Sequence, residues 1–123
     1  MIDKKQLTKA ETQVMNVLWS LPEGQGRSAE IMEGMPEPKP ALTTLLTFLK
    51  ILKDKGFVAA EKLGKGQLFK ALISREDYTR TYMNEVKQTF FGGSYMGVIS
   101  NLVKEHDVSI DELKELIRMV EEE

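Results

Sequence analysis

Residues 42–56, LTTLLTFLKILKDKG, carry two patterns on one predicted helix. The apolar positions recur every three or four residues, which is the spacing of a single helix face. They are Leu42, Leu45, Leu46, Leu49 and Leu52. At about 100° per residue, four polar positions fall together on the opposite face, flanked by Thr44 and Ile51. They are Thr43, Thr47, Lys50 and Asp54. Because Lys55 and Gly56 are typical of a helix end, we predict a helix that packs through its leucines and exposes its polar face.

Two further helices are predicted before this segment. Thr8 and Glu11 have the spacing of a capping box, in which the hydroxyl and the carboxylate each accept a backbone N–H of the first turn. This first helix ends at Pro22. Ser28 is predicted to cap a short second helix, which must stop before Pro36 because proline cannot continue it.

A β-hairpin is predicted after the third helix. Residues 57–63 and 67–73 have the length of strands, and Gly64-Lys65-Gly66 is a short connection of the kind that joins hairpin strands. Lys62, Lys65 and Lys70 are expected to cluster at its tip. The chain is thus predicted to be mainly α with a small β-hairpin, a winged helix-turn-helix over residues 1–73.

Three more helices are predicted over residues 74–123, starting at Ser74, Ser94 and Ser109 and interrupted at Gly92-Gly93. A segment of this size cannot bury its many large apolar side chains alone, so we expect a dimerisation region. The predicted interface residues are Tyr82, Val86, Phe90, Ile99, Leu102, Val103, Leu113, Ile117 and Val120. The alternative is that these helices fold back on the winged domain as one monomeric core.

Charge divides the 123-residue chain in the same way, although its net charge is only −2. Residues 1–73 carry 11 Lys and Arg against 8 Asp and Glu, a net charge of +3. Residues 74–123 carry 6 against 11, a net charge of −5. The positive excess lies in the predicted winged domain, which favours a polyanionic partner for that part.

Composition excludes several classes of function. With no cysteine and one histidine, the chain has neither thiolate metal sites nor disulfides, and we expect no metal and no cofactor. Glu105-His106-Asp107 is expected to be a solvated helix end, because consecutive helical residues point in different directions. No paired carboxylates and no activated nucleophile are recognisable, so we expect no enzyme. Without a signal peptide or an apolar run of spanning length, we expect a cytoplasmic protein that does not insert into a membrane.

The order of elements indicates DNA binding. In a winged helix-turn-helix the third helix enters the major groove while the hairpin lies along the phosphates. Thr43, Thr44 and Thr47 are the candidates for base readout, and Lys50 is a candidate for guanine or phosphate. Four lysines are candidate phosphate contacts. They are Lys53, Lys62, Lys65 and Lys70. A dimer would present two such helices to a double-stranded operator with dyad symmetry.

Two other functions stay open at this point. A winged-helix regulator controlled by a small molecule would use the C-terminal half as a receptor, with Tyr78, Tyr82 and Phe90 lining a pocket. A winged-helix adaptor for protein partners would not touch DNA at all.

The N-terminal residues also resemble a known family. Residues 7–11 (LTKAE), 14–15 (VM) and 18–19 (LW) resemble the L-T-x-A-E-x-x-V-M-x-x-L-W signature of the penicillinase-repressor family of bacterial transcriptional regulators. The similarity continues through Thr44-Leu45-Leu46-Thr47, the Lys55-Gly56 helix end, the hairpin and the C-terminal helices. It implies a homodimeric winged-helix repressor without catalytic activity. One departure is Ile51, which stands where the family commonly has an arginine.

The resemblance also implies a route of induction. In β-lactam-responsive members a membrane-bound sensor metalloprotease cuts the repressor at an Asn–Phe bond in the penultimate helix. The step that resembles it here is Asn101-Leu102, in which leucine replaces the phenylalanine.

Overall fold

The structure, a computed structural model, describes residues 6–122. Within them the chain forms six α-helices and three short strands, with a turn of 3-10 helix at Pro22–Gly24. In chain order the elements are α1 (Lys9–Ser20), β1 (Gln25–Arg27), α2 (Ser28–Gly34), α3 (Leu42–Lys55), β2 (Val58–Leu63), β3 (Gly66–Ala71), α4 (Arg75–Phe91), α5 (Tyr95–Glu105) and α6 (Ile110–Glu121).

These residues divide into two compact units, and the division falls between Thr79 and Arg80 inside α4. The first unit contains α1 to α3, the three strands and the first turn of α4. The second unit contains the remainder of α4 with α5 and α6.

Local capping fixes most helix starts where the sequence predicts them. The backbone N–H of Glu11 donates to the Thr8 hydroxyl (3.2 Å), and the backbone N–H of Thr8 donates to the Glu11 carboxylate (3.0 Å). This reciprocal pair is the predicted capping box. Ser74 accepts from the N–H of Asp77, which confirms the predicted start of α4.

The start of α2 differs from the prediction. Ser28 is the first helical residue and not the cap, which is Arg27. The Glu30 carboxylate returns to the backbone N–H of Arg27 at 2.8 Å, so one donor of the first turn is satisfied from within the helix. The start of α2 is therefore capped by a carboxylate at the third helical position and not by the serine hydroxyl.

The sheet has three strands, and β1 was not predicted. Its order is β1-β3-β2, and both pairings are antiparallel. Gln25 lies opposite Lys70, and Arg27 lies opposite Leu68. The hairpin turn is also tighter than predicted, because Leu63 and Gly66 are paired and only Gly64 and Lys65 connect the strands. Gly64 has φ +65°, a backbone conformation that favours glycine.

The core of the first unit lies between α1, α2, α3 and the sheet. Leu45, Leu49 and Leu52 of α3 are buried in it. They pack with apolar side chains from the other elements, which include Val14, Met15, Leu18, Ile31, Phe57, Val58 and Phe69. The predicted stripe of five leucines is wrong at two positions, because Leu42 is 51% exposed and Leu46 is 40% exposed.

The second unit has almost no interior. Among residues 80–122 only Val98 is buried. Ser94 caps α5 and Ser109 caps α6 through a second capping box, both as predicted. Gly92 and Gly93 end α4 with φ of +57° and +83°. The helices of the second unit therefore begin and end where the sequence predicts, while most of their apolar side chains remain exposed.

Candidate nucleic-acid interface

The face of α3 that points away from the core carries the predicted DNA-binding residues. Leu45, Leu49 and Leu52 define the buried side of the helix. All five predicted residues of α3 are exposed, and they are Thr43, Thr44, Thr47, Lys50 and Lys53. Leu42, Leu46 and Asp54 are exposed as well, whereas Ile51 is half-buried. The outward surface of α3 is therefore a mixed one of threonine, lysine and leucine.

One threonine of this face already uses its proton inside the helix. The hydroxyl of Thr47 donates to the backbone carbonyl of Thr43, one turn earlier, at 2.9 Å. A hydroxyl has one donor and two acceptor lone pairs, so Thr47 presents an acceptor and a methyl group to its surroundings. A base amino group or a thymine methyl suits this combination.

Lys50 is paired with an acidic neighbour on the same face. Its ammonium group lies 3.3 Å from the carboxylate of Asp54 at i+4, and both side chains are largely exposed. Exposed pairs of this kind contribute at most about 1 kcal/mol. A phosphate or a guanine can therefore replace Asp54 as the partner of Lys50 at small cost.

The C-terminal end of α3 is fixed to the start of α1. The ammonium group of Lys55 donates to the Glu11 carboxylate at 2.7 Å and to the backbone carbonyl of Gln6 at 3.2 Å. Burial acts to raise the pKa of Glu11, but the hydrogen bonds from Lys55 and Thr8 and the charge of Lys55 together hold this pKa below its usual value of 4.5. Glu11 is thus a buried carboxylate that stays ionised and holds α3 in place.

The three lysines of the hairpin do not form one cluster. Lys65 lies in the turn. Lys62 lies opposite Gln67, one position from Leu63–Gly66, the pair that closes the turn. Lys70 lies opposite Ala59, four ladder positions from the turn pair, so its expected place at the tip is wrong. Because side chains alternate along a strand, Lys62 and Lys70 lie on opposite faces of the hairpin. All three side chains are exposed.

Arg27 is a cation of the wing that the sequence analysis missed. It lies on β1, and its guanidinium group sits against the hairpin turn: a Cβ built on Gly66 would lie 3.2 Å from Nη1, and one built on Gly64 would lie 3.8 Å from Nη2. Arg27 could have been assigned to the sheet only if β1 had been recognised in the sequence. Its three residues, with a glycine in the centre, show no pattern typical of a strand. Arg27 therefore adds a planar cation beside Lys65.

Tyr78 belongs to the packing of the first unit. Its hydroxyl accepts the backbone N–H of Leu7 at 3.0 Å, and its ring contacts Trp19 and Phe57 with centroids 6.1 and 5.7 Å apart. The indole N–H of Trp19 in turn donates to the carbonyl of Ile73 at 2.8 Å. Phe90, which was considered with Tyr78 as a pocket residue, lies in the second unit and is 73% exposed.

The predicted interface residues of the second unit are only partly covered. Tyr82, Phe90, Ile99, Leu102, Ile117 and Val120 are exposed, and Val86, Val103 and Leu113 are half-buried. Further exposed apolar residues lie on the same three helices. They are Tyr95, Met96, Ile110, Leu116 and Met119. Asn101 and Leu102 lie inside α5, Asn101 half-buried and Leu102 exposed.

No acidic or histidine cluster is placed to hold a metal ion within residues 6–122. Glu105, His106 and Asp107 are all exposed where α5 ends. Over the same residues, no helix combines the length and the apolar character that a membrane span requires.

The first unit combines three helices with a three-stranded antiparallel sheet, and its third helix has one exposed face. This arrangement is a winged helix-turn-helix, the fold of many transcriptional regulators. The profile of one such family, the penicillinase repressors, matches residues 7–122, and the chain belongs to that family. The resemblance noted in the sequence is thereby confirmed.

The chain is also similar to individual members. It is 27% identical over 113 residues to the methicillin resistance regulatory protein MecI of Staphylococcus aureus strain N315, covering 90% of this chain and 89% of MecI. It is 25% identical over 122 residues to the penicillinase repressor of Bacillus licheniformis, covering 95% and 91% of the two chains. The family and these names indicate a transcriptional repressor.

Proposed function

We propose that this protein is a homodimeric transcriptional repressor that binds a dyad-symmetric operator in double-stranded DNA. The observation that carries the proposal is the exposed threonine and lysine face of α3 in a winged helix of the penicillinase repressor family. Each protomer would insert α3 into the major groove, where Thr43, Thr44 and Thr47 contact base edges. A protein in this role acts in the cytoplasm, where bacterial DNA lies.

Phosphate contacts would set the position of each protomer on the duplex. The candidate cations are Lys50 and Lys53 on α3, Lys62, Lys65 and Lys70 on the hairpin, and Arg27 beside the turn. Lys62 and Lys70 lie on opposite faces of the hairpin, so both contact phosphates only if the wing lies between two backbone segments. Lys65 and Arg27, at the turn, are the cations that a wing resting on one strand would use.

Dimerisation is supported by the open apolar faces of the second unit. Fifteen large apolar side chains of the described chain are exposed, and eleven of them lie on α4 to α6 beyond Thr79. Exposed apolar surface on that scale is typical of a protein interface. A second copy of the chain would cover it and would place two copies of α3 on one operator, which multiplies their affinities.

Relief of repression by proteolysis at Asn101-Leu102 is the regulatory part of the proposal. A cut there would separate residues 102–123, and with them all of α6, from the rest of the dimer region. Because proteases bind extended chain, α5 would have to open locally before a sensor metalloprotease reached this bond. Weaker dimerisation then lowers operator affinity, because the two protomers no longer bind as one unit.

The salt dependence of binding tests the proposal. We expect full-length protein to bind selected duplexes with log affinity falling linearly against log salt, by about 0.9 for each phosphate contact. Lys53→Gln should make the slope shallower by about one contact per protomer, whereas Lys104→Gln in the acidic second unit should not change it. A flat salt response would contradict DNA binding and favour an adaptor for protein partners. A thermal shift caused by a small effector, without cleavage, would instead favour a ligand-controlled regulator.

A further inference from the structure

An exposed leucine lies beside the lysines of α3, at the border between the buried and the outward side of the helix. Eight residues of α3 are exposed, and they are Leu42, Thr43, Thr44, Leu46, Thr47, Lys50, Lys53 and Asp54. At about 100° per residue, Leu46 falls between Lys53 and Lys50 around the helix axis, about 60° from the buried Leu49. Its side chain is 40% exposed, and Leu42, one turn earlier, is 51% exposed.

Packing within the first unit leaves the Leu46 side chain partly exposed. The core accepts the neighbouring Leu45 and Leu49 completely, yet it leaves Leu46 in solvent among hydroxyl and ammonium groups. An exposed leucine gains free energy only from a partner that supplies an apolar surface at the same place. A partner for this face must therefore combine negative charge, for the lysines, with one small apolar group, for Leu46.

The major groove of DNA offers this combination. Phosphates line both of its edges, and the one apolar group on its floor is the 5-methyl group of thymine. Leu46 lies in the first half of α3, and in this class of protein the N-terminal part of the third helix contacts base edges. We propose that Leu46 is a specificity-determining residue that contacts a thymine methyl group in each half of the bound duplex; this inference rests on the proposed DNA binding.

The Leu46 side chain also disfavours cytosine at the same position. Leucine has no hydrogen-bonding group, so a cytosine amino group placed against Leu46 would lose its water without gaining an acceptor. Thymine is therefore favoured twice, by contact with its methyl group and by the penalty on cytosine. Thr43 and Thr47, on the neighbouring turns, keep the hydrogen-bonding role at adjacent base pairs.

The test uses full-length protein and duplexes selected by it from a random library. In the tightest duplex, each thymine is replaced in turn by deoxyuridine, which removes the methyl group and leaves the Watson–Crick edge unchanged. We expect one position in each half-site to lose about fourfold in affinity, the effect of one buried methyl group, and the double replacement to lose about fifteenfold.

Leu46→Ala identifies the residue responsible. Alanine keeps the helix, and an exposed position changes stability little, so the variant should fold. It should bind the thymine and deoxyuridine duplexes equally. The matched control Leu72→Ala removes a leucine that is 58% exposed and lies outside α3, and it should discriminate like the original protein.

Three other outcomes would overturn the inference. Operator binding without any thymine-to-deoxyuridine effect, or an effect that survives in Leu46→Ala, would reject the role of Leu46 and leave the proposed function standing. Failure of the full-length protein to select any duplex would reject the proposed function together with the inference.

Discussion

The carboxylate of Glu11 lies 2.7 Å from the ammonium group of Lys55, so one ion pair joins the start of α1 to the last turn of α3. The same carboxylate oxygen accepts the backbone N–H of Thr8. A single buried oxygen thus completes a helix cap and fixes the end of the helix that is proposed to enter DNA. The glutamate of the family signature contacts Lys55 at the end of α3 and does not lie on the proposed DNA-binding face.

Neutralising Glu11 should destabilise the first unit without removing its helix cap. Glutamine at this position still accepts the N–H of Thr8, because glutamine also forms capping boxes. Glu11→Gln therefore removes mainly the charged contact with Lys55, and we expect a loss of about 2 kcal/mol in the free energy of unfolding. Urea denaturation followed by circular dichroism measures it. Glu33→Gln, at an exposed position on α2, should change this free energy by less than about 0.5 kcal/mol.

The same pair predicts a dependence of stability on pH. The pKa of Glu11 is lowered in the folded protein, so its contribution is present above its usual pKa of 4.5 and is lost as the pH falls through the folded value. The difference in unfolding free energy between the original protein and Glu11→Gln should be constant near neutral pH and should shrink below pH 4.5. Urea titrations at a series of pH values measure this difference. A gap that stays constant down to pH 3 would show that Glu11 keeps its usual pKa.

The dimer proposal predicts a defect from one change on α6. Ile117 is exposed, and its burial by a partner is worth about 2 kcal/mol per copy. Because a twofold axis repeats each contact, Ile117→Ser should weaken dimerisation about a thousandfold. Sedimentation equilibrium measures the dissociation constant. Lys114→Ser, on the same helix, should leave it unchanged, and a monomeric original protein would contradict the proposal.

Features set by neighbouring residues were predictable from the sequence, and features set by distant contacts were not. The cap at Thr8 and the left-handed glycine at Gly56 depend on the residues beside them, and both were found where the sequence places them. The strand at Gln25–Arg27 exists only because β3, some 40 residues away, pairs with it. The three residues of β1 alone contain no pattern from which this pairing could be predicted.

The leucines of α3 show the same limit inside one helix. Periodicity assigns Leu42 and Leu46 to the stripe of Leu45 and Leu49, because all of them fall within about one third of a turn. Periodicity does not predict which part of this sector of the helix faces the core. The core is centred nearer Leu45 and Leu52, so the two leucines on the far side of the stripe are left in solvent. Helical spacing predicts an amphipathic helix, and packing decides the edge of its buried face.

Arg27 is a candidate DNA contact that only the structure identified. Its guanidinium group lies beside Gly64 and Gly66, where a wing touches the phosphate backbone. A phosphate contact contributes equally on all sequences, so Arg27→Gln should weaken selected and random duplexes by the same factor and lower the salt slope by about 0.9 per protomer. Titrations of both duplexes at several salt concentrations measure this. Thr43→Ala, at a proposed base contact, should lower affinity for the selected duplex only. A selective loss in Arg27→Gln would instead mean that the guanidinium group contacts bases.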